Sequence, residues 1–112
     1  MLTYEEALSD IKNKIETNDV IVFMKGERHA PQCGFSSVVV QILHRLNVSF
    51  THVNVLLDPN IRSAIKAYSD WPTVPQLYIK QEFIGGCDIV KEMFRSKELE
   101  KLLVDKNIVR NS

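Results

Sequence analysis

The chain carries two thiols, Cys33 and Cys87, among 112 residues. Cys33 ends a polar loop, Lys25 to Gln32, and opens an apolar-periodic segment that reads as a helix. A thiol at a helix N-terminus meets unpaired N–H groups and the positive end of the helix dipole, and both favour the thiolate. Lys25 and Arg28 in the same loop can add positive charge. Free cysteines are often inert core residues, but Cys33 is flanked by Gln32 and Gly34 rather than by apolar neighbours. Three residues on, where a two-thiol oxidoreductase carries its second cysteine, stands Ser36. A hydroxyl cannot resolve a mixed disulfide, so exchange chemistry at Cys33 needs an outside thiol.

A second group of residues has the character of a binding site. Lys25 and Arg62 are cations, although an isolated charge reads equally well as solvated surface. Thr73-Val74-Pro75 offers a backbone edge before a proline. Gly85-Gly86 allows close approach of backbone to a ligand. Cys87 and Asp88 follow at the start of a helix whose free N–H groups suit a carboxylate. Taken singly, the glycine pair is also a turn and Asp88 also a cap. His29, His44 and His52 lack zinc-site spacing to two cysteines. His29 reads as a solvated loop residue, and His44 and His52 as surface positions on a helix and a strand. Trp71 can anchor the proline turn.

The elements that must position these residues follow from local signals. Thr3 with Glu6 forms a capping box, and Tyr4, Ala7, Leu8, Ile11 and Ile15 recur at helical spacing. Val20–Met24 is a β-branched apolar run, read as a strand buried on both faces. A helix is predicted from about Gly34 to Leu46, and a strand over Phe50–Leu56. Asp58 as N-cap and Pro59 at the first position open a third helix with Ile61, Ala64, Ile65 and Tyr68 inward. Trp71 to Pro75 cannot be helical, with two prolines three apart. Gln76–Ile79 and Phe83–Ile84 form a hairpin. Asp88 is expected to cap a fourth helix through Met93, and Ser96 a fifth through Val104. The order α-β-α-β-α-β-β-α-α predicts an α/β, thioredoxin-like fold: a four-stranded mixed sheet with helices on both faces. Residues 1–112 read as one domain, with a frayed tail over 107–112.

Composition excludes several classes. A chain that is 45% hydrophobic and 25% charged is not disordered. Fourteen basic and fourteen acidic residues cancel, so no general field for nucleic acid or membrane exists and neither is an expected partner. Two cysteines are too few for a disulfide scaffold. Early acids and no apolar stretch at the N-terminus lead to an expected cytoplasmic location, or the mitochondrial matrix after processing.

Met24-Lys25-Gly26, Cys33-Gly34-Phe35-Ser36, Asn60-Ile61-Arg62, Trp71-Pro72-Thr73, Val74-Pro75-Gln76-Leu77 and Gly85-Gly86-Cys87-Asp88 occur in that order. In this set the sequence resembles the monothiol glutaredoxins of the Cys-Gly-Phe-Ser type, over nearly the whole chain. The resemblance implies the thioredoxin-like fold, glutathione binding and a [2Fe–2S] cluster held between two subunits. It puts Lys25 and Arg62 against the glycyl carboxylate of glutathione. It gives Pro75 a cis peptide bond and pairs the Val74 backbone with the glutathione cysteine as a short added strand. Thr73, Gly86, Cys87 and Asp88 complete that site, with Asp88 accepting from the ligand's ammonium group. The family commonly has Phe where this chain has Val74. The contact is through main chain, so binding is expected to survive with less side-chain cover.

A [2Fe–2S] centre needs four ligands, usually thiolates. Two chains can give Cys33 each plus two glutathione thiols, or Cys33 and Cys87 each. The resemblance favours the first, leaving Cys87 as a binding-site neighbour or an occasional redox partner. The implied activity is cluster assembly and transfer to apo iron–sulfur proteins and redox homeostasis, through a homodimer when cluster-loaded. Two alternatives stand beside it. One is glutathione-dependent monothiol oxidoreductase activity (deglutathionylation) through Cys33, expected to be weak. The other is an iron-responsive binding module for BolA-like proteins.

Overall fold

The computed structural model describes residues 1–110. Helix α1, Tyr4–Thr17, begins at the expected capping box: Glu6 N–H donates to Thr3 Oγ1 at 3.1 Å, and Thr3 N–H to a Glu6 carboxylate oxygen at 2.9 Å. Ala7, Ile11 and Ile15 are its buried residues, whereas Tyr4 is exposed at the first helical position. Strand β1, Val20–Met24, is buried along its whole length. Its alternate residues divide between two cores. Val20, Val22 and Met24 join one, and Ile21 and Phe23 the other. A continuous apolar run is therefore what a central strand with helices on both sides requires.

The loop after β1 contains a two-stranded ribbon, β2 Gly26–Glu27 and β3 Ala30–Pro31. The predicted plain loop is thus folded back on itself. Gly26 makes this possible: its φ is +97°, and a Cβ there would lie 2.5 Å from the Gln32 nitrogen. Helix α2, Gly34–Arg45, follows. Strand β4 pairs only over Thr51–Asn54, shorter than the expected Phe50–Leu56. The Asn54 side chain accepts the Leu56 N–H at 3.0 Å and turns the chain into a single 3-10 turn, Val55–Leu57. Helix α3, Pro59–Ser69, has Asp58 as N-cap and Pro59 at its start, as predicted, and ends at Asp70 with φ 54°. Tyr68, expected inward, is exposed.

Strands β5, Gln76–Ile79, and β6, Glu82–Gly85, form the hairpin. Helix α4 is Cys87–Arg95. Its N-cap is Gly86, whose carbonyl accepts the Val90 N–H at 3.0 Å, so Asp88 lies in the first turn rather than at the cap. Helix α5 is Glu98–Asp105, with Lys97 as N-cap at φ 70°. Ser96, the expected cap, instead closes α4, although its hydroxyl still accepts the Glu98 N–H at 3.3 Å. The expected fraying is corrected over Asn107–Val109: Ile108 N–H donates to Leu103 O at 2.9 Å, and Ile108 and Val109 pack on the core. Residues 111–112 of that tail lie outside the described residues.

The sheet order is β4-β1-β5-β6, with β1 and β4 parallel and the other pairs antiparallel. Residues of α2, α4 and α5 pack on one face and those of α1 and α3 on the other. This is the thioredoxin-like layout expected from the order of elements. Among the described residues no helix is long and apolar enough to cross a membrane.

Candidate functional site

Strand register gathers the candidate residues. Met24 pairs with Asn54, Phe23 with Gln76, and Leu77 with Gly85. The C-terminal ends of β1, β4 and β6 and the start of β5 therefore meet at one edge of the sheet. Lys25 leaves β1 there, the Trp71–Pro75 loop enters β5 there, and Gly86 leaves β6 there. Helix α3, which carries Arg62 in its first turn, also starts from this edge, after β4. Ligands of α/β sheets collect at such carboxyl ends.

Cys33 is half-buried and occupies the N-cap position of α2. No cap hydrogen bond forms to its side chain, yet the Ser36 and Phe35 N–H groups favour its anionic form. The Ser36 N–H is the largest influence, and together with the Phe35 N–H and the Lys25 charge it outweighs burial. The thiol pKa falls below the ordinary value of 9.0. Arg28 adds nothing to this. It donates from Nε to His52 Nδ1 at 3.0 Å and lies 4.5 Å over the Phe50 ring. His52 in turn meets Glu27 through Nε2, so it links the β2–β3 ribbon to β4 rather than standing free on the surface. His29 and His44 are exposed, as expected.

Cys87 behaves in the opposite way. It is also half-buried, at the first position of α4, but burial raises its pKa above 9.0, and the Asp88 and Cys33 charges push in the same direction. Lys91 offsets this only in part. Both cysteines are free thiols.

A cavity of about 240 Å³ lies between the Trp71–Pro75 loop and the start of α4. Cys33 does not line it, but is close enough to Cys87 on its wall for the Cys33 charge to act on that thiol. One wall is Trp71, Thr73, Val74 and Pro75, and the other is Gly86, Cys87, Asp88 and Ile89, with Phe35 at the α2 side. Six of the eight expected glutathione-binding residues thus come together: Thr73, Val74, Pro75, Gly86, Cys87 and Asp88. The Val74–Pro75 peptide bond is cis. Among the described residues, neither the N–H nor the C=O of Val74 takes part in a hydrogen bond within the chain. Gly86 has no room to spare, because a Cβ on it would lie 3.2 Å from the Pro75 carbonyl oxygen. The α4 N-terminus beside it has no side-chain cap, so its first N–H groups face the cavity end unpaired. Lys25 and Arg62 do not line the cavity. Both are half-buried at the same sheet edge, and neither forms an ion pair among the described residues.

Two residues gain roles that sequence reasoning did not assign. Ser36 is fully buried, and its Oγ accepts the Lys25 N–H at 3.1 Å. It is not only the place of a missing thiol but the pin between the Lys25 loop and α2. Among the described residues Gln76 is the other fully buried polar residue, directly after Pro75. A glutamine inside an otherwise apolar strand was the available signal.

The sequence model described as Glutaredoxin matches residues 20–84. The chain is 51% identical over 105 residues to the probable monothiol glutaredoxin 2 of Rickettsia typhi, covering 93% of this chain and 95% of that one. It is 46% identical over 101 residues to the mitochondrial monothiol glutaredoxin-S15 of Arabidopsis thaliana, covering 89% of this chain and 60% of that one. The solution structure of a monomeric truncated mutant of Trypanosoma brucei 1-C-Grx1 superposes with a TM-score of 0.86 at 43% identity, over 94% of this chain and 96% of that one. The crystal structure of a buckwheat glutaredoxin–glutathione complex superposes with a TM-score of 0.83 at 25% identity, over 95% and 94%. With a matching family sequence, fold and single-thiol motif, the chain belongs to the monothiol glutaredoxin family.

Proposed function

We propose that this protein binds glutathione in the cavity between the Trp71–Pro75 loop and α4 and carries a [2Fe–2S] cluster, as cargo, between two subunits. The observation that carries the reading is one juxtaposition. Cys33, whose anion the Ser36 and Phe35 N–H groups favour, lies two residues before Phe35 and near Cys87, both on the walls of a cavity edged by the unpaired Val74 backbone and the uncapped start of α4. Glutathione is an extended peptide with two carboxylates, one ammonium and one thiol. Val74 offers it strand-like pairing, the α4 N–H groups a carboxylate site, Asp88 a partner for its ammonium, and Lys25 and Arg62 cations for the other carboxylate. A buckwheat glutaredoxin of the same fold, known in complex with glutathione, supports this ligand.

Among the described residues, no group of three or more His, Cys, Asp or Glu can hold a metal ion. One chain therefore cannot enclose a cluster, but Cys33 fits as one thiolate ligand. A second chain's Cys33 and two glutathione thiols complete four, and ligands that are small molecules make the cargo releasable to apo iron–sulfur proteins. To test this, the protein is reconstituted with iron, sulfide and glutathione, and its visible absorption and mass in solution are recorded. The expected result is a dimer with cluster absorbance that is lost without glutathione and in Cys33→Ser. A cluster that survives Cys33→Ser overturns the reading.

A second reading rests on the lowered Cys33 pKa alone. A thiolate attacks a glutathionylated disulfide, takes the glutathionyl group as a mixed disulfide and releases the substrate thiolate. A second glutathione thiolate then frees Cys33 and leaves as glutathione disulfide. Turnover in a deglutathionylation assay measures its weight against cluster carriage.

A further inference from the structure

We infer that Gln76 is a positioning residue for the glutathione site, holding the Trp71–Pro75 wall from below through its side-chain amide. The inference rests on the glutathione reading for its ligand, but its structural basis is separate. Gln76 is fully buried on β5, yet contacts no ligand-facing space. Its Nε2 donates to Trp71 O at 3.3 Å and to Thr73 O at 3.1 Å, and its Oε1 accepts from the Tyr78 hydroxyl at 3.3 Å. Both amide protons and the carbonyl are thus committed, which fixes the orientation of the group. Burial pushes the Tyr78 phenol up to about 12, so this donor keeps its proton throughout the working range of a protein. The wall is also gripped from the other side, where Trp71 N–H donates to Ser69 Oγ at 3.1 Å.

The consequence reaches the cavity through two neighbours. Thr73 immediately precedes Val74, whose free backbone must present its N–H and C=O in register for strand-like pairing. Trp71 stands over Gly86 on the opposite wall, with its indole nitrogen 3.6 Å from where a Gly86 Cβ would lie, and packs against Phe83 with ring centroids 5.8 Å apart. Fixing the Trp71 and Thr73 carbonyls therefore fixes both the edge and the width of the cleft. Cys33 is outside this network, because its thiolate depends on Ser36, Phe35 and Lys25.

Trp71 is the single tryptophan of the chain and serves as a native reporter. Wild type, Gln76→Leu and Tyr78→Phe are compared for glutathione affinity, Trp71 fluorescence anisotropy and the pH profile of Cys33 alkylation. Gln76→Leu is expected to weaken glutathione binding about tenfold, the equivalent of losing the two carbonyl contacts, and to lower the anisotropy. Tyr78→Phe is expected to weaken binding about two- to threefold. The alkylation profile stays that of wild type in both. A folded variant in which the alkylation profile moves together with affinity and anisotropy overturns the assignment. So does a folded Gln76→Leu protein with unchanged affinity and anisotropy. If Gln76→Leu does not fold, Tyr78→Phe decides, and unchanged affinity there overturns the inference. If wild type binds no glutathione, the ligand reading fails, and the anisotropy of the folded variants alone decides whether Gln76 holds the wall.

Discussion

Cys33 and Cys87 open helices at the same edge of one sheet, both half-buried and both free, yet their thiols are driven in opposite directions. Cys33 has the Ser36 and Phe35 N–H groups and the Lys25 charge working for its anion. Cys87 has burial and the Asp88 and Cys33 charges working against it. A helix N-terminus is therefore not enough to make a reactive thiol. The N-cap position directs the sulfur at the free N–H groups, and one residue further in, at the first helical position, that benefit is lost. The chain places a carboxylate beside one cysteine and an ammonium beside the other.

The largest test of this asymmetry is covalent. Incubated with glutathione disulfide near neutral pH, Cys87→Ser is expected to take up one glutathione per chain by mass spectrometry, and Cys33→Ser none. Equal uptake by both variants breaks the comparison. Next in size, Lys25→Gln removes a charge that favours the Cys33 anion and is expected to raise its thiol pKa. The ultraviolet absorbance of the thiolate against pH follows that change in a Cys87→Ser background.

Ser36→Ala separates positioning from charge. It leaves the backbone N–H groups in place and removes only the hydroxyl, the smallest influence favouring the Cys33 anion, so the Cys33 pKa rises by less than in Lys25→Gln. The Lys25 N–H loses its acceptor, at a cost of about 1 kcal/mol read by denaturant unfolding.

The smallest effect is the pH dependence of stability, whose sign differs between the two thiols. The folded pKa of Cys33 is depressed, so its contribution is fully present above the unfolded value near 9.0 and is lost as pH falls through the folded pKa. The folded pKa of Cys87 is raised, so its contribution is fully present below 9.0 and is lost as pH rises through the folded pKa. Unfolding curves of the two serine variants against wild type are expected to diverge in opposite senses above neutral pH.

What could be read from the sequence was what is decided locally or by residue type. The Thr3–Glu6 capping box, Asp58-Pro59 at the start of α3 and the doubly buried β1 each depend on a few neighbouring side chains. The cavity walls were legible because their residues occur in a fixed order around Cys33, Pro75 and Gly86. Interactions between distant segments were not. Arg28 looked like a charge for Cys33 because both lie in one loop, but its partners His52 and Phe50 are on another segment. Gln76 stands out as a polar residue in an apolar strand, but nothing local says that the Trp71 and Thr73 carbonyls turn back onto it. The position of the α4 cap moved from Asp88 to Gly86 because an extended glycine can supply the first helical carbonyl without any side chain.

The central claim, that one of two similarly placed thiols is prepared for chemistry, is tested most directly by alkylation. The rate of reaction with iodoacetamide is measured against pH for Cys87→Ser, which reports Cys33, and for Cys33→Ser, which reports Cys87. The account predicts a midpoint below 9.0 for Cys33 and above it for Cys87. Coincident midpoints, or the reverse order, contradict it.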